Sequence, residues 1–115
     1  PAESLIAFEA PLPKTMKSER FQKLVASNPD NELFRFSLGQ ALMDDNQETK
    51  AIEAFDLCLS KKPDWMVASI LRAKCLLALN QNDAAKKELQ QALHLAIDQH
   101  HEAPEAEVRK LLASL

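Results

Sequence analysis

Apolar residues follow a helical period along most of the chain. From Thr15 onward they recur three and four residues apart, which places them on one face of an α-helix. The last such set is Val108, Leu111, Leu112 and Leu115. Breaks rich in Asn, Asp and Pro divide the pattern at residues 28–30, 46–47, 62–64 and 80–82, with a further break after His100. The sequence therefore predicts six helices joined by short turns.

The residues at the breaks predict how the helices end and begin. Asn46 ends one helix, and asparagine tolerates the left-handed backbone conformation found at such ends. Asn80 stands at the next equivalent break, and Asp83 is placed to cap the helix that follows. Pro104 fits the first position of the last helix, where the missing N–H leaves no hydrogen bond unmade.

Residues 1–13 differ from the rest of the chain. They contain three prolines and an apolar patch, Leu5, Ile6, Ala7 and Phe8, with no helical period long enough to stand alone. We expect an extended or irregular lead-in. The chain begins with Pro1 and has no basic segment ahead of an apolar one, so no signal peptide is visible.

The pattern also repeats with a 34-residue period. Pro29 and Pro63 are separated by this interval, as are Asn46 and Asn80. Size-matched residues follow the same spacing: Gly39 and Ala73, Ala41 and Cys75, Leu42 and Leu76, Ala51 and Ala85, and the series Phe21, Phe55 and Leu89. A helix-turn-helix unit of this length indicates a helical repeat protein.

The residues of the first full copy resemble the tetratricopeptide repeat, whose pattern is W-x-x-L-G-x-x-Y…A-x-x-x-F…P. The matching positions are Leu38, Gly39, Leu42, Ala51, Phe55, Cys58 and Pro63. The second copy matches at Ala73, Leu76, Ala85, Leu89 and Ala92. Arg72 replaces the family's leucine, and neither copy has the two aromatic residues of the family's first helix. The resemblance covers about residues 15–100.

This resemblance implies an all-α fold in which antiparallel helix hairpins stack as a short right-handed α-solenoid. The lead-in would occupy residues 1–13 and a single domain residues 14–115. Within the domain we expect a half-repeat at 15–28, repeats at 31–64 and 65–100, and a capping helix at 104–115. About three stacked units are needed for stability, so the half-repeat and the last helix are expected to cover the ends of the array.

Composition and charge exclude several classes of function. The chain is 46% hydrophobic and 27% charged, as in ordinary globular domains. Its single glycine, Gly39, cannot form a phosphate-binding loop. The net charge of −3 argues against a nucleic-acid partner, and no apolar run approaches the ~20 residues of a membrane span. We expect no cofactor, no nucleic-acid partner and no membrane insertion.

His94, Asp98 and His101 have a spacing that would place three metal-binding side chains on one helix face. A real site needs a further ligand and supporting hydrogen bonds, which nothing in the sequence specifies. We therefore interpret these residues as a solvated face and expect no metal.

Cys58 and Cys75 fall at positions where the family has small buried residues, so they are predicted to be packed free thiols in a cytoplasm-like compartment. Arg72 occupies an apolar position of the repeat and should either reach solvent or meet a carboxylate. No set of residues indicates catalysis, and the protein is not expected to be an enzyme.

The first helix of each repeat carries a second apolar stripe beyond the one that packs within the repeat. In the family this stripe lines the concave groove where peptides bind, so the resemblance implies a groove here too. The corresponding positions are Leu33, Phe36, Gln40, Met43, Val67, Ile70, Lys74 and Leu77. Apart from Lys74, these positions lack the Lys, Asn and Arg residues with which the family's acidic-tail binders hold a C-terminal carboxylate, so an acidic tail is not the expected ligand.

The sequence thus favours a non-enzymatic interaction module that binds a peptide or helix of a partner protein in an apolar groove. The alternative is a structural scaffold piece that self-associates through the same surface, for example as a homodimer. A third possible occupant of the groove is the lead-in itself, whose Leu5, Ile6 and Phe8 are also apolar.

Overall fold

The computed structural model describes residues 12–115, with side chains from Lys17 onward. Its six helices are α1 (Leu12–Ser27), α2 (Glu32–Asp44), α3 (Glu48–Lys61), α4 (Met66–Ala78), α5 (Asn82–Asp98) and α6 (Glu102–Ala113). Each helix packs against the next along the chain. Between residues 12 and 115 there is no strand, which confirms the all-α prediction. None of these six helices is long and apolar enough to span a membrane.

The turns within the hairpins share one backbone geometry. Asn46 and Asn80 both have φ of 61°, which confirms the predicted left-handed conformation at the helix ends. The next residue then donates its N–H back to a helix carbonyl, from Gln47 to Leu42 at 2.8 Å and from Gln81 to Leu76 at 2.9 Å. His100 repeats the conformation before α6, with φ of 57°. These bonds satisfy terminal carbonyls while reversing the chain in very few residues.

Helices α1 and α6 begin earlier than the sequence predicted. Helix α6 starts at Glu102, so Pro104 lies inside its first turn rather than at its first position. Helix α1 starts at Leu12, and residues 12–13 belong to it rather than to the lead-in. Proline is tolerated at both places because the N–H groups of a first helical turn have no partner within the helix. The remainder of the predicted lead-in, residues 1–11, lies outside the described residues.

The start of α5 also differs from the prediction. Gln81 is the N-cap residue and makes no side-chain capping hydrogen bond, while Asp83 lies in the first turn. An aspartate there still interacts favourably with the partial positive charge of the helix N-terminus. By contrast, Asn31 caps α2 through its side chain, which accepts a hydrogen bond from the N–H of Phe34 at 3.1 Å.

Two clusters of buried side chains form the core. The first core cluster comprises Leu42, Ala51, Phe55, Cys58, Ala68 and Cys75. The second core cluster comprises Met66, Ile70, Ala73, Leu89, Ala92, Ala96 and Val108. Helix α4 contributes to both. Helix α6 covers the second cluster through fully buried Val108, while its outer side exposes Glu107 and Lys110 to solvent.

Candidate partner-binding site

The residues predicted to line the groove lie on α2 and α4, two first helices that contact each other directly. The structure places them at three depths. Leu33, Gln40 and Val67 are exposed, Phe36, Met43, Lys74 and Leu77 are half-buried, and Ile70 is buried. Leu33 retains 66% of its surface and Val67 44%, which is high for large apolar side chains. These two occupy equivalent positions of the two repeats.

An aromatic pair joins the two helices that carry these exposed residues. The rings of Phe36 and Trp65 stack with centroids 4.9 Å apart and an angle of 20° between their planes. Phe36 also contacts Phe55 of the first core cluster, at 5.8 Å between centroids. Leu33 lies one turn before Phe36 on α2, and Val67 follows Trp65 by two residues. We call Leu33, Phe36, Trp65 and Val67 the aromatic patch.

Trp65 was not among the residues predicted for the groove. It is the N-cap residue of α4 and therefore sits outside the helical period on which the groove was based. The ammonium group of Lys62 lies 5.6 Å from the centre of its ring, a cation–π contact. The sequence did contain a signal for this role. The sole tryptophan follows Pro63 and Asp64 directly, at the start of a helix.

Two of the four second-repeat positions in the predicted groove, Ile70 and Lys74, are occupied by contacts within the protein. Ile70 is only 4% exposed and packs in the second core cluster with Val108, so it belongs to the core and not to an accessible surface. Lys74 is held by an ion pair, with its Nζ 3.5 Å from Oε1 of Glu107. The last helix was predicted to cover the end of the array, and in the structure its Glu107 and Val108 lie at this stripe of α4.

The first-repeat half opens into a pocket of about 350 Å³ between α1 and α2. Gln40 and Met43 line this α1–α2 pocket from α2, Phe21 from α1 and Leu71 from α4. Lys17 of α1 pairs with the carboxylate of Asp44 of α2 at its edge. The lining is therefore mixed: Phe21, Ala41, Met43 and Leu71 are apolar, and Ser37, Gln40 and the Lys17–Asp44 ion pair are polar.

Two further depressions lie at equivalent places of the repeats. The first furrow, about 380 Å³, is lined by Val25, Leu38, Ala54 and Leu57, among others. The second furrow, about 330 Å³, has Leu59, Arg72, Glu88 and Gln91 at the equivalent positions of the next repeat. The first furrow is therefore apolar where the second is polar.

Arg72 organises the polar furrow. Its Nε donates to Oδ1 of Asp56 at 2.6 Å, and its Nη1 donates to Oε2 of Glu88 at 3.3 Å. The hydroxyl of buried Ser69 donates to the other Glu88 oxygen at 2.8 Å. The prediction that Arg72 meets a carboxylate is confirmed, and the network joins α3, α4 and α5.

Both cysteines are buried free thiols, as predicted. Burial raises the pKa of the Cys58 thiol, and burial together with the Glu48 carboxylate raises the pKa of the Cys75 thiol to about 11. Both thiols are therefore protonated at neutral pH, unlike the thiolates of reactive cysteines.

The three residues considered for a metal do not share a helix. His94 and Asp98 lie on α5, whereas His101 is the N-cap residue of α6, beyond the turn at His100. In the part of the chain from residue 12 to 115, no group of three or more His, Cys, Asp or Glu side chains is placed to hold a metal ion.

Comparison with known proteins gives a relative by sequence. No protein-family model matches the chain. A TPR repeat-containing protein of Pseudomonas aeruginosa is 27% identical over 100 residues, which cover 87% of this chain and 95% of that protein. The similarity therefore spans nearly the whole of the relative.

Two solved structures show the same fold. PcrH, determined in complex with the chaperone binding region of PopD, superposes with a TM-score of 0.77 at 21% identity, covering 98% of this chain and 89% of its own. A tetratricopeptide repeat domain protein from Salinibacter ruber gives a TM-score of 0.68 at 17% identity, covering 76% of this chain and 88% of its own. With the 34-residue period and the stacked hairpins, these similarities show that the chain has the fold of tetratricopeptide-repeat proteins.

Proposed function

We propose that this protein is a non-enzymatic interaction module that binds an apolar segment of a partner protein on the face formed by α2 and α4. The observation that carries the proposal is the aromatic patch, where the Phe36–Trp65 stack joins α2 to the start of α4 and the same two helices expose Leu33 and Val67. Exposed apolar side chains that are grouped rather than scattered mark interaction sites. A stacked aromatic pair adds a rigid contact surface that loses little entropy on binding.

The comparison with PcrH supports a protein partner. That protein, which shares the fold, is solved in complex with a region of another protein, PopD. The present chain exposes the apolar side chains Leu33 and Val67 on the face formed by α2 and α4. Of the cations nearby, Lys74 is already paired with Glu107 and Lys62 lies against Trp65. The favoured ligand is therefore an apolar peptide or helix and not a carboxylate-rich tail.

The site we propose is narrower than the groove that the sequence suggested. It runs from the aromatic patch along α2 to Gln40 and Met43 at the α1–α2 pocket. Val67 and Leu77 border it from α4. Ile70 stabilises the site from beneath, because its side chain is buried in the second core cluster.

Panning a phage library of random 16-residue peptides against the immobilised protein tests this function. Enriched peptides should carry apolar residues at helical or alternating spacing. A Leu33→Glu/Val67→Glu variant should lose binding, because it places two charges beside the aromatic patch. We choose these residues because both are exposed, so their substitution leaves the core intact.

Leu57→Glu is the matched control, since Leu57 is 49% exposed but lies on α3 in the first furrow. It should bind the selected peptides as the wild type does. Absence of any enriched peptide, or equal loss of binding in the control, would contradict the proposed function. Thermal melts of all variants verify that each is folded.

The alternative is self-association through the same surface, which would make the protein a homo-oligomeric scaffold piece. Sedimentation equilibrium at several concentrations distinguishes the two functions. A mass that rises with concentration in the wild type but not in Leu33→Glu/Val67→Glu supports self-association. A monomer at all concentrations supports binding of a different protein. The free thiols at Cys58 and Cys75 fit a reducing compartment, and we propose a cytoplasmic location.

A further inference from the structure

Helix α1 has no preceding partner among the described residues, although the second helix of each complete hairpin has one. Phe21, Phe55 and Leu89 form a series with the 34-residue spacing. Phe55 and Leu89 are fully buried, and Phe55 packs closely against Gly39 of the helix before it. Phe21 is only half-buried and lines the α1–α2 pocket instead. The pocket therefore marks a surface that a preceding segment covers in the other two units.

Residues 1–11 stand at the sequence position of that missing partner. Counting back by one repeat from α2 leads to the first ten residues of the chain. Phe8 then aligns with Leu42 and Leu76, which are both buried. In this register residues 11–13 align with residues 45–47, the turn between α2 and α3, so α1 begins two residues earlier than its counterpart α3. The 34-residue register thus extends through the apolar residues of this segment.

We propose that residues 1–11 dock into the α1–α2 pocket of their own molecule, with Phe8 against Phe21 and Met43. The four residues from Phe8 to Leu12 span up to roughly 14 Å when extended, and Phe21 lies nine residues along α1, about 13.5 Å from Leu12, so Phe8 reaches the pocket. Charge favours the same contact. The segment carries Glu3 and Glu9 and no basic residue, while α1 exposes Lys17, Arg20 and Lys23.

Two departures from the repeat make this docking weaker than the packing of a complete hairpin. Leu5 stands where the other copies have Gly39 and Ala73, and a larger side chain there holds paired helices apart. Lys17 stands where the others have buried alanines, and its side chain is exposed and paired with Asp44. The contact is therefore reversible.

Docking at this pocket would give the segment a regulatory role. Gln40 and Met43 line the pocket and also border the proposed partner site. A partner that extends to them must displace the segment, which acts as a tethered competitor at high effective concentration. The competition rests on the proposed function, whereas the docking itself does not.

A spin label on the full-length chain tests the docking without any partner. A nitroxide is attached through Ala2→Cys, since Cys58 and Cys75 are buried. We expect loss of amide peak intensity at Gln40, Met43 and Asp44, and little loss at Leu57 and Ile97. Phe8→Glu should restore the intensities. Ala10→Glu is the matched control and should not, because residue 10 aligns with Asp44, which is exposed.

Uniform broadening or none at all would overturn the docking. The docking within one molecule would also be overturned if the loss of peak intensity appeared only between a labelled and an unlabelled copy, since that result means that the segment docks on another molecule. The competition is tested by comparing the affinities of the wild type and Phe8→Glu for the phage-selected peptides. If the segment is docked about 90% of the time in the wild type, Phe8→Glu should bind these peptides roughly tenfold more tightly. Unchanged affinity would overturn the competitor role even where the label shows docking.

Discussion

Gly39 and Phe55 are complementary in size at the crossing of α2 and α3. A Cβ atom on residue 39 would lie 2.6 Å from Cε1 of Phe55, closer than carbon atoms approach without a shift. Phe55 is fully buried and has no free space to move into. At the equivalent place of the second repeat, Ala73 and Leu89 share the second core cluster. In each repeat, a large side chain on the second helix thus packs against a small residue on the first helix.

Gly39→Ala should therefore destabilise the protein, by roughly 1–3 kcal/mol through overpacking. This holds even though alanine is the better helix former by about 1 kcal/mol. Adding Phe55→Leu should recover much of the loss, because the pair then equals the one in the second repeat. Urea unfolding of the two single variants and the double variant measures the coupling. Gln40→Ala, at the exposed neighbouring position, serves as the control. A stabilising Gly39→Ala would show that the helix crossing is looser than described.

Arg72→Leu should lower the free energy of unfolding by roughly 1–3 kcal/mol, although leucine is the residue that the family has there. The loss arises because Glu88, whose side chain is only 14% exposed, keeps its charge without its partner. Arg72→Leu/Glu88→Ala should recover stability, since it gives the second furrow the Leu38 and Ala54 side chains of the first. Denaturant unfolding provides the measurement.

Arg109→Ala is the control for the Arg72 variants. Arg109 pairs with Glu105 at 2.9 Å on the exposed side of α6, four residues apart. Such pairs contribute about 0.5 kcal/mol or less. If the two arginine variants lose equal stability, the network around Arg72 has no special role.

Removing residues 102–115 should expose the second core cluster, because Val108 is the fully buried residue that α6 places over it. We expect the truncated chain to bind a hydrophobic dye and to aggregate. Val108→Ala in the full chain should cost roughly 1–3 kcal/mol, while exposed Lys110→Ala should be neutral. A truncated chain that stays monomeric with an unchanged melting temperature would contradict the capping role of α6.

The buried thiol of Cys75 predicts a loss of stability at alkaline pH. In the unfolded chain the thiol ionises near its ordinary pKa of 9.0, but burial raises its pKa to about 11 in the folded protein. The stabilisation is fully present below the unfolded pKa and is lost as pH rises through the folded one. Between about pH 8 and pH 11, wild type should lose roughly 2–3 kcal/mol more than Cys75→Ala. Parallel pH profiles of the two proteins would rule this effect out.

The sequence predicted the hairpins well because their determinants are local and repeated. The left-handed turns at Asn46 and Asn80 and the close approach at Gly39 follow from single residues at fixed spacing. The starts of α1 and α6 were placed two or three residues late. The first N–H groups of a helix need no internal partner, so several starting residues are similar in energy and proline does not select among them.

The candidate site was less predictable because its accessibility depends on contacts between distant helices. Ile70 has the same spacing in its repeat as Phe36, yet it is buried because α6 brings Val108 beside it. No local pattern in α4 contains that information. Trp65 was missed for the opposite reason, since it joins the aromatic patch from a turn and not from a periodic helix position.

Helix α4 contributes buried residues to both core clusters, and this determines the order in which the protein unfolds. Ala68 and Cys75 belong to the first cluster, and Met66, Ile70 and Ala73 to the second, so the same thirteen-residue helix closes both. Helices α1 and α6 can detach from the ends while this centre persists, but release of α4 opens both hairpins at once. We therefore expect the amides of α4 to exchange with solvent last, and only when both core clusters open.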